Sequence, residues 1–264
     1  MNEVHASEPF RTLFARVDPF AWLAAQTGPV FRAAPGRRTL RFEYAGADWF
    51  LKFHTGVGWM EICKNLLYLR APVLDARREA VAAAALGVAG VPTVDVVAWG
   101  RAGRNPARRH SFIVTRPIAA DRTLDDVARA WLAGDERDPV LKRRVIRRVA
   151  ELVRRMHAAG IHHRDLYLVH FLVSELPDGL HLIDLHRAGV EPSVRRRWLV
   201  KDLGSLDFAA GTALLTRHDR LRFLAAYRGR PLREVLATEG GFWAAVRRRS
   251  RRLQRRAERK GPER

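Results

Sequence analysis

The sequence predicts an α+β fold in which an antiparallel sheet with one main helix is followed by a mainly helical region. Three observations predict it. Segments rich in β-forming residues alternate with turns over residues 30–53, an alanine-rich run follows at 75–89, and apolar residues recur at helical spacing over 141–156. The chain has 264 residues, 47% of them hydrophobic, and can bury a substantial core. We expect an N-terminal lobe over 1–116 and a C-terminal lobe over 117–264.

Within the N-terminal lobe, β-forming residues predict five strands, at 30–32, 39–44, 49–53, 94–99 and 111–115. The turn between the first two strands contains a single glycine, Gly36. Asp75 is a suitable N-cap for the alanine-rich helix, and Pro92 stops it. Residues 115–118 read as a hinge between the two lobes.

In the C-terminal lobe, apolar residues at helical spacing over 141–156 predict a long amphipathic helix that ends at Gly160. Lys142 and six arginines occupy the face opposite its apolar row, which predicts a solvated face. Further helices are expected at 202–210, at 219–227 and from Phe242 onward.

Two carboxylates carry the strongest chemical signal. Asp165 ends the triplet His163-Arg164-Asp165, and Asp184 follows 19 residues later, each at a break in an apolar context. In a protein-kinase-like site the first Asp accepts the proton of the acceptor hydroxyl, and the second holds the Mg²⁺ that bridges the nucleotide phosphates. We predict these roles for Asp165 and Asp184, with Arg164 beside the base as a residue that braces the catalytic loop.

A second metal ligand is expected at His170, five positions after Asp165, where protein kinases have an asparagine. Imidazole is a poorer ligand than an amide oxygen for so hard a cation, so a second metal ion is less well supported than the first. Zinc is not expected, because the clustered histidines lack an HExxH pattern and a cysteine pair.

The nucleotide-binding residues are expected in the N-terminal lobe. Lys52 lies in the third strand, where an ammonium group contacts the α- and β-phosphates of ATP, and Glu79 lies 27 residues later, where it is able to pair with the lysine. We add Gly36 of the first turn, with Thr115 and Ile118 of the hinge, as nucleotide contacts.

The charge of the chain limits its partners. Lys and Arg number 48 against 28 Asp and Glu, a formal net charge of +20, so a polyanionic partner is expected. Nucleic acid, an anionic membrane surface and a phosphate-rich substrate all satisfy that requirement. The single cysteine, Cys63, excludes an internal disulfide and favours the cytoplasm. No leader or bilayer-spanning run is evident, so we expect any membrane association to be peripheral.

Three runs together resemble the lipopolysaccharide core heptose kinase family of Gram-negative bacteria: MHAAGIHHRDLYLVHFLV, LIDLHRA and RRWLVKDLGSLDF. The form HRDxYxxHFL, with histidine in the asparagine position, belongs to that family's pattern. The resemblance implies a protein-kinase-like fold and transfer of phosphate from ATP, with Mg²⁺, to a hydroxyl of the first heptose in the inner core. It also implies action at the cytoplasmic face of the inner membrane.

Two further roles follow from the same resemblance. Asp202 matches the helix-borne aspartate that accepts backbone hydrogen bonds from the catalytic loop. The segment 55–70 is assigned to acceptor or lipid contacts, with a core helix as the plainer alternative.

Alternatives to this function remain at the level of sequence. The same catalytic loop suits a kinase for another inner-core sugar, a small molecule or a protein hydroxyl. A non-enzymatic nucleic-acid-binding protein is supported by the net charge but has no zinc finger, RNP motif or basic-zipper pattern. The ten basic residues over 247–264 are expected to contribute to membrane or acceptor association, and the basic surface as a whole also suits an acidic carrier such as an acyl carrier protein.

Overall fold

The computed structural model divides the chain into two compact units. The first unit runs up to Ala84 and resumes over Val94–Ile118, and the second comprises Ala85–Thr93 and the chain from Ala119 onward. The residues that the structure describes are 2–34, 36–56, 58–60, 76–135 and 138–260.

A six-stranded antiparallel sheet dominates the first unit. Its strands are β1 (Glu3–Ala6), β2 (Val30–Ala34), β3 (Arg37–Tyr44), β4 (Ala47–His54), β5 (Val96–Ala102) and β6 (His110–Thr115). Their order across the sheet is β1-β5-β6-β4-β3-β2. The five predicted strands are confirmed, with β5 beginning two residues later than expected, whereas β1 was not predicted.

One face of this sheet holds an aromatic core. Two short helices that the sequence did not reveal, α1 (Phe10–Phe14) and α2 (Pro19–Ala24), cover it. Phe10 is fully buried and makes an edge-to-face contact with Trp49, with ring centroids 5.0 Å apart. Because side chains alternate along a strand, burial of Trp49, Leu51 and Phe53 on this face of β4 places Lys52 on the other.

Helix α3 (Arg77–Val88) is the predicted alanine-rich helix, and it packs on the opposite face of the sheet. Buried Ala76 and Ala80 contact Ile113 of β6 there, and small side chains let the helix approach closely. The predicted cap, Asp75, lies outside the described residues, as does the greater part of the 55–70 segment that we assigned to acceptor contacts.

The second unit contains five helices among the described residues: α4 (Leu124–Ala133), α5 (Pro139–Ala158), α6 (Arg196–Leu214), α7 (Arg217–Arg228) and α8 (Leu232–Lys260). Five short strands accompany them: β7 (Arg122–Thr123), β8 (Ile161–His162), β9 (Phe171–Glu175), β10 (Gly179–Leu182) and β11 (Gly189–Val190). They form a β10-β9-β7 sheet and a β11-β8 pair. The predicted helices are confirmed, and the last three are longer than expected.

Helix α5 shows the predicted division into an apolar face and a basic face. The arginines on its outer face are mostly exposed, as expected. Lys142 is an exception, because its Nζ lies 2.9 Å from Asp219 Oδ2 on α7. Burial by itself would raise the pKa of Asp219, but Lys142 and the Thr216 cap lower the pKa to about 2. This cation therefore joins two helices and is not part of a solvated face.

Gly160 connects the end of α5 to β8. Its φ is 77°, and a Cβ built there would lie 1.9 Å from the backbone oxygen of Glu191. Only glycine fits this turn, which delivers the chain into the loop that carries Asp165. None of the helices in the described ranges has both the length and the apolar character needed to cross a bilayer.

Candidate active site

The loop between β8 and β9 carries Asp165, and the β9-β10 hairpin leads the chain to Asp184. Two residues here adopt left-handed backbone conformations, Arg164 with φ 70° and Asp184 with φ 63°. Such conformations cost non-glycine residues of the order of 1–3 kcal/mol each and persist only where surrounding contacts enforce them. The contacts that enforce them identify what holds the site in shape.

Asp202 of α6 is the anchor of the Asp165 loop. It is fully buried, and its two carboxylate oxygens accept hydrogen bonds from the backbone N–H groups of His163, at 2.8 Å, and Arg164, at 2.7 Å. These two bonds fix the left-handed turn immediately before Asp165. The structural role predicted for Asp202 is confirmed.

The far side of the Asp202 carboxylate is supported by two other helices. His157 of α5 lies with Nε2 3.4 Å from Asp202 Oδ2, and its Nδ1 lies 2.8 Å from the hydroxyl of Tyr227 on α7. Burial by itself would raise the pKa of Asp202, but His157, His163 and the loop amides together lower it. The carboxylate therefore stays ionised within the core, and three helices and the loop converge on it.

Histidine side chains tie the Asp165 loop to the segment before Asp184. His163 Nε2 donates a hydrogen bond to the carbonyl of Ile183 at 3.0 Å, and burial lowers the pKa of His163 and keeps the ring neutral. The backbone N–H of Ile183 in turn donates to the carbonyl of His170 at 2.9 Å. The loop that carries Asp165 and the segment that leads to Asp184 are thereby held together within the second unit.

His170 closes this arrangement. Its Nδ1 donates a hydrogen bond of 2.6 Å to the backbone carbonyl of Asp165, and its Nε2 lies 3.4 Å from Asp184 Oδ2. Because a carbonyl oxygen only accepts, Nδ1 carries a proton, and a neutral ring presents its Nε2 lone pair toward the Asp184 carboxylate. A cation at this point satisfies both groups.

These residues suit a magnesium ion bound together with phosphate. Adjacent ligands of an octahedral Mg²⁺, each about 2.1 Å from the metal, lie about 3 Å apart, close to the His170–Asp184 separation. No three His, Cys, Asp or Glu side chains within the described part of the chain are placed to hold a metal ion. Mg²⁺ does not require three, because phosphate oxygens and water complete its shell when one or two protein ligands are present.

The surroundings of Asp165 are strongly cationic. Arg187 Nη1 lies 3.6 Å from Asp165 Oδ2. The Arg164 guanidinium stacks 4.5 Å above the ring of Trp198 on α6. Lys201, one turn further along α6, also interacts electrostatically with Asp165. Arg164 therefore braces the loop through its backbone and its stacked side chain.

The predicted lysine–glutamate pair is present in the first unit. Lys52 Nζ lies 2.6 Å from Glu79 Oε1, which joins β4 to α3. Glu79 is buried, whereas about one third of the lysine side chain is exposed. The lysine therefore has a fixed direction and remains accessible.

Gly36 lies between β2 and β3, Thr115 ends β6, and Ile118 follows it. Gly36 has φ 73°, and its carbonyl accepts a hydrogen bond of 3.0 Å from the N–H of Thr55. Thr115 is buried at the end of β6, and Ile118 is half-buried three residues later. Their geometry assigns no ligand to them.

The sequence did not single out three residues of this site. His186 Nδ1 lies 2.5 Å from Asp184 Oδ1, and Arg187 and Lys201 lie around Asp165. The crowding of histidines near Asp184 was a signal for His186, although it was considered only in connection with zinc. Arg187 and Lys201 carried no distinguishing signal among 48 basic residues.

An apolar cavity of about 400 Å³ lies among helices α4 to α8 of the second unit. Its walls are almost entirely hydrocarbon and include Leu124, Trp131, Val145, Leu206, Ala210, Phe223 and Trp243. The exposed Arg217 and Arg247 also line it. An apolar cavity of this size suits an apolar ligand.

Comparison with known proteins gives consistent matches over nearly the whole chain. The model of the lipopolysaccharide kinase (Kdo/WaaP) family matches residues 21–227. Lipopolysaccharide core heptose(I) kinase WaaP of Pseudomonas aeruginosa is 45% identical over 262 residues, which cover 96% of this chain and 97% of that protein. The protein of the same description from Escherichia coli strain K12 is 43% identical over 265 residues, covering 98% and 99%.

A solved structure shows the same fold. WaaP in complex with acyl carrier protein matches with a TM-score of 0.80 at 40% sequence identity, covering 95% of this chain and 99% of that one. The predicted α+β, protein-kinase-like fold is confirmed by this likeness.

The Tyr227 hydroxyl offers a test of the support beneath the loop. Tyr227→Phe leaves the buried Nδ1 of His157 without its partner, so we expect a loss of about 1–3 kcal/mol in the free energy of unfolding, measured by urea denaturation. Tyr44→Phe is the matched control, because the Tyr44 hydroxyl makes no hydrogen bond within the described residues. Equal losses in the two variants would contradict the role of His157 as a buried link.

Proposed function

The chain belongs to the lipopolysaccharide kinase (Kdo/WaaP) family, and on that premise we propose that it phosphorylates a hydroxyl of the first heptose of the lipopolysaccharide inner core, using ATP. The observation that carries this proposal is identity of 43–45% over almost the full length to relatives described as core heptose(I) kinases. The chain is a phosphotransferase with an alcohol group as acceptor. The nucleic-acid-binding alternative, which depended on net charge, is set aside.

Asp165 is the proposed catalytic base. The Asp202 anchor fixes the backbone just before it, so its carboxylate is directed by the fold and not by a flexible loop. Asp165 orients the acceptor hydroxyl and takes up its proton as the new oxygen–phosphorus bond forms. Arg164 contributes by holding the loop and does not contact the substrate.

Asp184 and His170 are the proposed Mg²⁺ ligands, with Asp184 as the main one. Bound Mg²⁺ neutralises charge that develops on the phosphate oxygens during transfer. His186, in contact with Asp184 Oδ1, fixes the direction of the carboxylate from the other side. A carboxylate held between two rings presents a defined edge to the metal.

Lys52 is proposed to contact the α- and β-phosphates of ATP. Its pairing with Glu79 restricts the ammonium group to one direction, as required of a charge clamp. Three further nucleotide contacts are proposed: Gly36 in the β2-β3 turn, Thr115 at the end of β6 and Ile118 after it.

We expect two variants to separate these roles. Asp165→Ala should reduce kcat by about 10² to 10⁴-fold while nucleotide affinity is retained, because only the base is lost. Asp184→Asn should weaken Mg²⁺-dependent nucleotide binding by at least about tenfold, measured by calorimetry with and without Mg²⁺. Phosphate incorporation into purified lipid A-core, located by mass spectrometry, identifies the sugar. Near-normal turnover of Asp165→Ala would remove this residue from the mechanism.

The acceptor is anionic, which accounts for part of the basic charge. We propose that the chain reaches it at an anionic membrane surface, where it binds peripherally from the cytoplasmic side. Helix α8 supports this proposal, because Arg251, Arg255 and Arg259 are exposed along one stripe. A basic residue close to an anionic leaflet contributes about 1 kcal/mol to binding.

Neutralising this stripe tests the membrane proposal. Replacing Arg251, Arg255 and Arg259 with glutamine should weaken binding to phosphatidylserine-containing vesicles by about 100-fold at low salt, and leave the KM for ATP unchanged. The control is glutamine at the exposed Arg143, Arg144 and Arg147 of α5, which removes the same charge. Equal effects of the two triple variants would show that net charge, and not α8, determines binding.

An acidic carrier protein is the second proposed partner. The supporting observations are the +20 charge and the arginine-edged apolar cavity, together with a related structure described as a complex with acyl carrier protein. An acyl group on such a carrier matches the cavity walls, and the carrier's acidic surface matches Arg217 and Arg247.

Filling the cavity tests this partner. Wild-type chain should bind an acyl carrier protein that bears a long acyl chain at least about tenfold more tightly than the unacylated form, since burial of each CH₂ contributes about 0.8 kcal/mol. Ala210→Trp, which places an indole in the cavity, should abolish that preference. Ala257→Trp, on the exposed surface of α8, is the control. No preference in the wild type would refute an acyl ligand.

A further inference from the structure

The catalytic loop contains no cation between its base and His170. The four residues after Asp165 are Leu166, Tyr167, Leu168 and Val169. Phosphoryl transfer is accelerated mainly by cations and hydrogen-bond donors placed around the transferring group. Any cation beside Asp165 must therefore come from another segment.

Two other segments supply such cations. Arg187, in the turn after Asp184, lies 3.6 Å from Asp165 Oδ2. Lys201 reaches the same region from α6, where its charge is attracted by Asp165 and repelled by Arg187 and Arg164. Arg164 is placed differently, because its guanidinium stacks 4.5 Å from the centre of the Trp198 ring.

Lys201 has an unusual environment. The side chain is half-buried, and no carboxylate or carbonyl oxygen of the described residues lies within hydrogen-bonding distance of its Nζ. Its Nζ lies 5.8 Å from the centroid of the Trp198 ring. Burial, followed by repulsion from Arg187 and Arg164, lowers the pKa of Lys201 to about 8, against attraction by Asp165 and Asp202.

The excess of positive charge around Asp165 is unfavourable in the protein without ligand, because Arg187, Lys201 and Arg164 repel one another. Within the described residues, Asp165 lies 3.6 Å from Arg187 and also attracts Lys201, whereas both oxygens of Asp202 accept hydrogen bonds from the loop amides. A solvated lysine on a helix would extend into water and keep its ordinary ionisation. An anion that enters beside Asp165 removes the repulsion and supplies Lys201 with a partner.

We infer that Arg187 and Lys201 form an oxyanion subsite beside Asp165, a conclusion that rests on the proposed kinase function. In the transfer step the acceptor oxygen bonds to the γ-phosphorus, the bond from this phosphorus to the bridging oxygen of ADP breaks, and the hydroxyl proton passes to Asp165. Lys201 and Arg187 contact an oxyanion next to that reaction. It is an oxygen of the transferring phosphoryl group or an acidic group of the acceptor, and the experiment below distinguishes these sources.

The main variant is Lys201→Met, which preserves length and helix propensity and removes the charge. Lys201→Arg restores a cation, and Arg187→Met tests the second member. Arg196→Met, at an exposed position of the same helix, is the control for loss of one charge. Each protein is assayed for hydrolysis of ATP without acceptor and for transfer to lipid A-core, and its unfolding is followed in parallel.

We expect Lys201→Met to lose about 10- to 100-fold in transfer, with most of the loss recovered in Lys201→Arg and none seen in Arg196→Met. If acceptor-free hydrolysis falls equally, the oxyanion is the phosphoryl group. If hydrolysis is kept and the acceptor KM rises, it is the acceptor's acidic group. Transfer and hydrolysis both within twofold of wild type would overturn the subsite.

A readout independent of turnover is the reactivity of the lysine itself. Acetylation of Lys201 by acetic anhydride, followed by mass spectrometry across pH 6 to 10, should have its midpoint near pH 8. Orthophosphate should shift this midpoint upward and slow the reaction, whereas chloride at equal ionic strength should not. No protection by orthophosphate and none by lipid A-core would also overturn the subsite.

A wild-type chain that hydrolyses ATP but does not modify lipid A-core would refute the proposed acceptor, while the hydrolysis and acetylation data still decide the subsite.

Discussion

The buried carboxylate of Asp202 is the constraint on which the candidate site depends. A carboxylate removed from water is costly unless its oxygens are hydrogen-bonded, and here the backbone N–H groups of His163 and Arg164 and the ring of His157 meet that requirement. The relation is reciprocal. The loop adopts a left-handed conformation at Arg164 because its backbone N–H groups then donate hydrogen bonds to the Asp202 carboxylate. The carboxylate in turn stays ionised because the loop and His157 surround it.

The ring nitrogens of His163 and His170 also hold the site together through hydrogen bonds to backbone carbonyls. His163 stays neutral and donates one hydrogen bond to the carbonyl of Ile183, and His170 uses Nδ1 to hold the carbonyl of Asp165. The His163 ring therefore joins the loop that carries Asp165 to the segment before Asp184, and the His170 ring holds the loop itself. An asparagine at position 170 would offer a harder oxygen to a metal, whereas the imidazole holds the loop carbonyl with Nδ1 and directs Nε2 toward the Asp184 carboxylate, where a bound cation would join the two. The imidazole is suited to a structural bridge as well as to a ligand.

How far the sequence predicts such a site depends on the separation of its parts. The pairing of Lys52 with Glu79 was foreseeable from the order of a strand lysine followed by a helix glutamate, and alternation along β4, which places Lys52 on the face opposite to the aromatic core, accounts for it. The Asp165 and Asp202 relationship followed from family resemblance. The short N-terminal elements β1, α1 and α2 escaped notice because each is too brief for periodicity to appear. Arg187, Lys201 and the apolar cavity were missed for another reason: they arise from tertiary packing of segments that look ordinary alone.

Net charge illustrates this limit most directly, because a total of +20 is compatible with several unlike arrangements. The charge of Lys142 is paired inside the protein, where it contacts Asp219 and joins two helices. The guanidinium of Arg164 also has a partner within the protein, because it stacks on the Trp198 ring. The arginines of α8 are exposed and act at long range, so salt screens them. Arg187 and Lys201 belong to neither class, since they are partly shielded from water and crowded around one carboxylate. Charges in that intermediate position are screened less by salt, act over a few ångströms and discriminate between the ionisation states of a ligand. The exposed arginines of α8 should therefore respond more strongly to ionic strength than Arg187 and Lys201. The arginines of α8 govern the encounter with an anionic acceptor, whereas Arg187 and Lys201 act on the chemistry that follows.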